Sequence, residues 1–140
     1  MSESSRQVEK TALGQATVGG HVMPWFKGVI AGDFVFLSGT GGAVDDAGTP
    51  VEGIEEQTYL AFARSAQALA EAGSSFTRAV RINQYLADRR LRDQYVAART
   101  NWLSEHAPDL LTESTYASIL VEQGLMSEAM LIEIEVTALR

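Results

Sequence analysis

The sequence predicts one α+β domain of order β-β-α-β-α-β-β, a mixed sheet with two helices on one face. Three observations predict it. Two apolar stripes recur at helical spacing, shorter runs alternate with period two, and Gly- or Pro-containing turns separate them. At 140 residues, 46% of them hydrophobic, the chain suits a single domain with a real core.

Residues 1–15 read as a flexible N-terminal arm, and residues 16–140 as the domain. Ala16–Val22 is expected to form a short edge strand. Trp25–Ile30 and Phe34–Leu37 flank Ala31-Gly32-Asp33 and read as a β-hairpin. Ser38-Gly39-Thr40-Gly41-Gly42 stops the second strand, and Asp45–Pro50 is a loop with strong turn chemistry. Tyr59, Phe62, Ala63, Ala66, Leu69 and Ala70 make a helical stripe. That helix is expected to start near Ile54, with Glu55 and Glu56 at the positive end of its dipole and Gly73 as its stop.

Ala79–Leu86 alternates, with Val80, Ile82 and Leu86 on one face and Arg81, Asn83 and Tyr85 on the other. Asp88 can cap a second helix with the stripe Leu91, Tyr95, Ala98 and Trp102, ending before Pro108. Thr115–Val121 is β-rich. In the last strand Met130, Ile132, Ile134, Val136 and Ala138 alternate with Leu131, Glu133, Glu135, Thr137 and Leu139. The helices cover the face holding Val80, Ile82, Ile132 and Ile134. The opposite face is half apolar, and a bare face of that kind predicts a closed homo-oligomer.

Composition narrows the function. There are 18 acidic against 11 basic residues, and the stretch from Thr100 to Leu139 has seven acids and no Lys or Arg. Phosphate neutralisation needs clustered cations, so no nucleic-acid partner is expected. Without Cys there is no thiolate ligand or Cys nucleophile, and two His do not make a metal site; no metal or cofactor is expected. No apolar run approaches the roughly 20 residues of a membrane span, and no export signal is visible. A soluble cytoplasmic protein is the expectation.

Individual motifs are mostly structural. The Gly-rich Ser38–Gly42 segment lacks the following helix N-terminus and the Lys of a phosphate cradle, and reads as a tight turn. His21 and His106 read as solvated, and Arg89, Arg90, Arg92 and Arg99 as a solvated helix face. Glu133 and Glu135 differ, because two carboxylates on one face of a central strand are unusual without partners. For Glu133 two readings stand open: a burial-shifted carboxylate that handles water or ligand protons, or the polar rim of a wet interface. For Glu135 the rim is the better reading.

Gly28-Val29-Ile30-Ala31-Gly32-Asp33-Phe34-Val35-Phe36-Leu37-Ser38-Gly39 resembles the hairpin signature of the Rid (YjgF-like) family of enamine/imine deaminases, once labelled endoribonucleases or translation inhibitors. Met130–Ala138 resembles that family's terminal strand, and Val80–Asp88 its "V-x-x-x-x-Y-L-x-D" segment. The similarity spans roughly residues 22–139. It implies a chorismate-mutase-like fold, a homotrimer and ligand clefts at the subunit interfaces. It implies that Glu133 is the acid associated with the attacking water, and that Trp25 stands at the position often held by Tyr. Where family deaminases clamp a substrate carboxylate with Arg, the matching stretch is Leu111–Tyr116, with Glu113 at the Arg position. A carboxylate there repels a 2-imino acid.

The expected protein is therefore a small-molecule binder of this family that is not a standard 2-imino-acid deaminase. Glu133 is its catalytic candidate, and Trp25, Ser38, Gly39, Glu113, Thr115 and Tyr116 are its binding candidates. Water-assisted hydrolysis or tautomerisation of an imine, enamine or similarly labile compound is the expected chemistry; the alternative is a metabolite sensor without turnover.

Overall fold

In the computed structural model residues 7–113 and 115–140 are described. The strands are β1 (Lys10–Ala12), β2 (Gln15–Val18), β3 (His21–Phe26), β4 (Gly28–Ala31), β5 (Phe34–Leu37), β6 (Thr40–Gly41), β7 (Ala79–Leu86), β8 (Ala117–Glu122) and β9 (Ile132–Leu139). The helices are α1 (Ile54–Glu71) and α2 (Arg92–His106). One mixed sheet runs β1-β4-β5-β9-β7-β8, with β6 also pairing β9, while β2 and β3 form a separate hairpin. β7 and β8 are parallel, as their connection through α2 requires.

Period two decides which face is core. Ile132, Ile134, Val136 and Ala138 of β9 are buried beneath the helices with Ile82 and Leu86 of β7 and Val35 and Leu37 of β5. Phe62, Phe76 and Trp102 lock α1, α2 and the start of β7 together, with ring centroids 4.9–5.4 Å apart. Each such side chain contributes about 1.5–3 kcal/mol on full burial. α1 begins at Ile54 with Glu55 and Glu56 in its first turn, and Gly73, at φ +76°, ends it.

Several expectations need correction. The arm is not loose over residues 10–13: β1 pairs with β4, and Leu13 packs in the core. Residues 1–6 lie outside the described residues. Ala16–Val22 is not one edge strand, because Gly19 and Gly20 take positive φ and turn β2 back onto β3. Trp25–Ile30 is not continuous either; Lys27 separates β3 from β4. Its N–H donates to Gly14 O and its carbonyl accepts from Ser38 N–H.

Asp88 does cap, but its side chain accepts from Arg90 N–H of a short 3-10 turn that precedes α2. Val80 is only half-buried, at a register shift, and the third inward position of β7 is Gln84, fully buried. Its Oε1 accepts from Tyr95 Oη and from Arg99, and its Nε2 donates to Ser118 Oγ and Ile119 O. Arg99 thus leaves the solvated helix face to satisfy a buried amide, and its guanidinium lies 5.5 Å from the Tyr95 ring centre.

Candidate functional site

The sheet face away from the helices is built by the outward residues of four strands. Phe34 and Phe36 on β5 and Ile119 and Val121 on β8 form two apolar rails, each residue exposed. Between them run polar side chains paired across β7 and β9: Arg81 opposite Thr137, Asn83 opposite Glu135, and Tyr85 opposite Glu133. All of these follow from strand alternation.

Glu133 sits where β5 breaks. Phe36 pairs with Thr137, but Thr40 pairs with Ile134, so the ladder slips by one residue across Ser38–Gly39. Gly39 faces the Glu133 side chain there. A Cβ on Gly39 would stand 3.1 Å from Glu133 Cδ and overlap its Oε1, so glycine is what lets the carboxylate lie against the chain. Glu133 is half-buried; desolvation first, then the Glu135 charge, raises its pKa above the ordinary carboxylate value. Glu135 Oε1 accepts from Asn83 Nδ2 at 3.0 Å and from Tyr85 Oη at 2.9 Å.

The start of β9 is held by α1. Buried Gln57 donates from Nε2 to Val51 O and Ala129 O, and its Oε1 accepts from Leu131 N–H. The next glycine stretch is no cradle, since Thr40 and Gly41 are paired in the sheet and Arg64 binds the carbonyls of Gly41 and Val44.

The structure brings some of the sequence candidates together. Gly39 stands at Glu133, with Ser38 next to it in the chain. Ser38 Oγ donates to Phe26 O at 2.6 Å, which ties the end of β3 to the Ser38–Gly39 break; Trp25, one residue earlier in β3, is exposed. Ser38 itself is committed, because its N–H already donates to Lys27 O. Of this pair, Gly39 is the one whose amide has no acceptor among the described residues.

Glu113, Thr115 and Tyr116 lie elsewhere. Glu113 N–H closes the turn after α2 on Asp109 O, and Glu113 and Thr115 are exposed. Tyr116 is half-buried and packs against the core, on the side of Tyr95, instead of pointing outward. These residues precede β8, an edge strand separated from β9 by β7. The pairing sets Ala117 beside Arg81, and Arg81 beside Thr137, four residues from Glu133. Four strand residues span about 13 Å. Within one chain, Glu113 and Thr115 are thus at the far end of the sheet from Glu133.

Asn83, Tyr85 and Gln57 were not singled out by sequence. For the first two the signal existed: alternation puts them on the Glu133 face. Among the described residues no group of three or more His, Cys, Asp or Glu is placed to hold a metal ion. Among the described residues no helix is long and apolar enough to cross a membrane.

Among curated proteins nothing matches this chain. Solved structures with the same fold include a YjgF-family protein of Neisseria meningitidis, at 23% identity and TM-score 0.72 over 94% of this chain and 95% of that one. A YjgF/YER057c/UK114-family protein of Mycobacterium tuberculosis has 21% identity and TM-score 0.74 over 94% of this chain and all of that one (100%). A Rid-family protein of Yersinia pestis has 20% identity and TM-score 0.75 over 94% and 100%. A family model described as endoribonuclease L-PSP matches residues 20–140. With that match over the hairpin, both helices and the Glu133 strand, the chain belongs to the endoribonuclease L-PSP family, the YjgF or Rid proteins.

Proposed function

We propose that the protein binds a small neutral or cationic molecule in clefts between the subunits of a homotrimer. There it hydrolyses or tautomerises a labile C=N or enamine group. The observation that carries this reading is the half-buried Glu133 carboxylate, seated against Gly39 on a sheet face flanked by exposed apolar rails. In this reading the rails are covered by another copy, and the cleft forms at the corner of Ser38, Gly39, Trp25 and Glu133. Trp25 is the aromatic wall, the Gly39 amide a donor, and Glu133 orients the water or the ligand.

Glu113 and Thr115, at the far end of the sheet, reach a Glu133 only from a second copy. Tyr116 then shapes that end of the cleft from beneath and does not touch ligand. Glu113 brings a negative charge to the rim, which favours a ligand without a carboxylate.

Ammonia release from freshly generated 2-aminoacrylate tests the chemistry. The expected rate is the spontaneous one, and enzyme-accelerated release overturns the exclusion of 2-imino acids. Light scattering is expected to give three times the protomer mass; a monomer overturns the cleft. Binding without turnover across imine and enamine substrates replaces the enzyme by a sensor.

A further inference from the structure

Glu135 is the carboxylate to which the reading above gives no task. It lies two residues from Glu133 on the same face of β9 and receives two hydrogen bonds, both from β7. Asn83 stands directly opposite it, while Tyr85 stands opposite Glu133 and reaches diagonally to Glu135. Asn83 Oδ1 is buried with no partner among the described residues. Flipping the amide would point that oxygen at the carboxylate, so the Glu135 charge fixes the orientation that leaves Oδ1 unpaired. A buried acceptor left unsatisfied so that its amide can donate to one carboxylate calls for a reason beyond packing. Glu133 shows the opposite surroundings: a glycine surface, partial burial and no hydrogen bond among the described residues.

We propose that Glu135 is a positioning residue: pinned by Tyr85 and Asn83, it is a fixed negative charge that makes Glu133 the proton-exchanging member of the pair. The proposal rests on the role given to Glu133 above and adds what sets its protonation. Two carboxylates in different surroundings divide the labour of holding charge and moving a proton. Within one subunit the groups facing Glu133 are few, and the trimer proposed above adds Glu113 of a second copy at the rim. On β9 there is Glu135; on β7 there is Tyr85; the Ser38–Gly39 break, β6, and the outward side chains of β8 contribute no titratable group. Arg81 lies further along β7, opposite Thr137. Tyr85 keeps its proton for Glu135, since that hydrogen bond first, then burial, raises its pKa.

The test is a carbon-detected NMR titration of the glutamate side chains in the full-length protein, which needs no ligand. Glu135→Gln is expected to move the Glu133 midpoint down by about half a unit to one unit, the size of a like-charge effect at this spacing. Tyr85→Phe, which keeps the ring, is expected to move it the same way by less. Glu135→Asp, which keeps the charge, is expected to retain a raised midpoint. A Glu133 midpoint unmoved in both Glu135→Gln and Tyr85→Phe overturns the proposal. Activity lost in Glu133→Gln alongside an unmoved titration would show that this proposal, and not the role of Glu133, has failed.

Discussion

Gly39 and Gly42 offer a controlled comparison, because neither has a positive φ and both would meet something on gaining a Cβ. At Gly39 the obstacle is the tip of a side chain: Glu133 Cδ at 3.1 Å and Cγ at 3.5 Å, with Oε1 overlapped. The carboxylate can swing away at a rotamer cost of about 0.5–1.5 kcal/mol, partly offset by its return to water. At Gly42 the obstacle is backbone: the Gln57 carbonyl is overlapped, with Gln57 C at 2.9 Å and Cα at 3.0 Å. Gln57 is buried and holds three hydrogen bonds, so α1 itself must move. Overpacking of that kind costs about 3 kcal/mol.

Gly39→Ala is therefore expected to lose under about 1 kcal/mol and Gly42→Ala about 3 kcal/mol, measured by urea unfolding at one fixed protein concentration. In Gly39→Ala the Glu133 titration midpoint should also fall toward the ordinary carboxylate value, with ligand binding lost. Equal stability losses in the two variants, or an unmoved Glu133 midpoint in Gly39→Ala, would refute the contact between Gly39 and Glu133.

Two further predictions concern stability. Because the folded state raises the Glu133 pKa, that state binds the proton more tightly than the unfolded chain. Stability from this group is then greatest below the ordinary carboxylate pKa and falls as pH rises through the folded value. Glu133→Gln should melt higher than wild type at pH 7, with the gap closing near pH 4; a lower Tm at both pH values contradicts the burial argument. Gln57→Ala should cost about 3 kcal/mol, about 1 for each of three hydrogen bonds, by urea unfolding followed by Trp fluorescence. A loss under about 1 kcal/mol would mean that water replaces the amide.

The sequence made the long elements legible, because periodicity records burial directly. β9 shows its inward Ile132, Ile134 and Val136 as a plain alternation, and α1 carries both its stripe and its Gly73 stop. What was hidden were places where a polar side chain takes an inward position. Gln84 occupies a core position of β7 and is tolerable only because Tyr95 and Arg99 of α2 and Ser118 and Ile119 of β8 converge on it, a convergence of three elements that no local pattern announces. Arg99 was misplaced for the same reason. The break at Lys27 was missed because apolar runs on both sides mask it. At the site, the approach of Gly39 to Glu133 depends on a one-residue slip in pairing between segments almost a hundred positions apart. Ser38 shows the same limit: nothing in the sequence announces that its amide is taken by Lys27 O.

The grip of Gln57 on Leu131 N–H has a consequence for how this protein can vary. Strand phase is unforgiving, and one residue gained or lost within β9 would turn Glu133 into the core and Ile134 out. The exposed loop ahead of it, residues 123–128, ends just before the clamp on Ala129 O and Leu131 N–H. Insertions and deletions there are absorbed upstream of the clamp and do not reach the strand. A change of length in that loop is thus expected to leave the carboxylate face in phase.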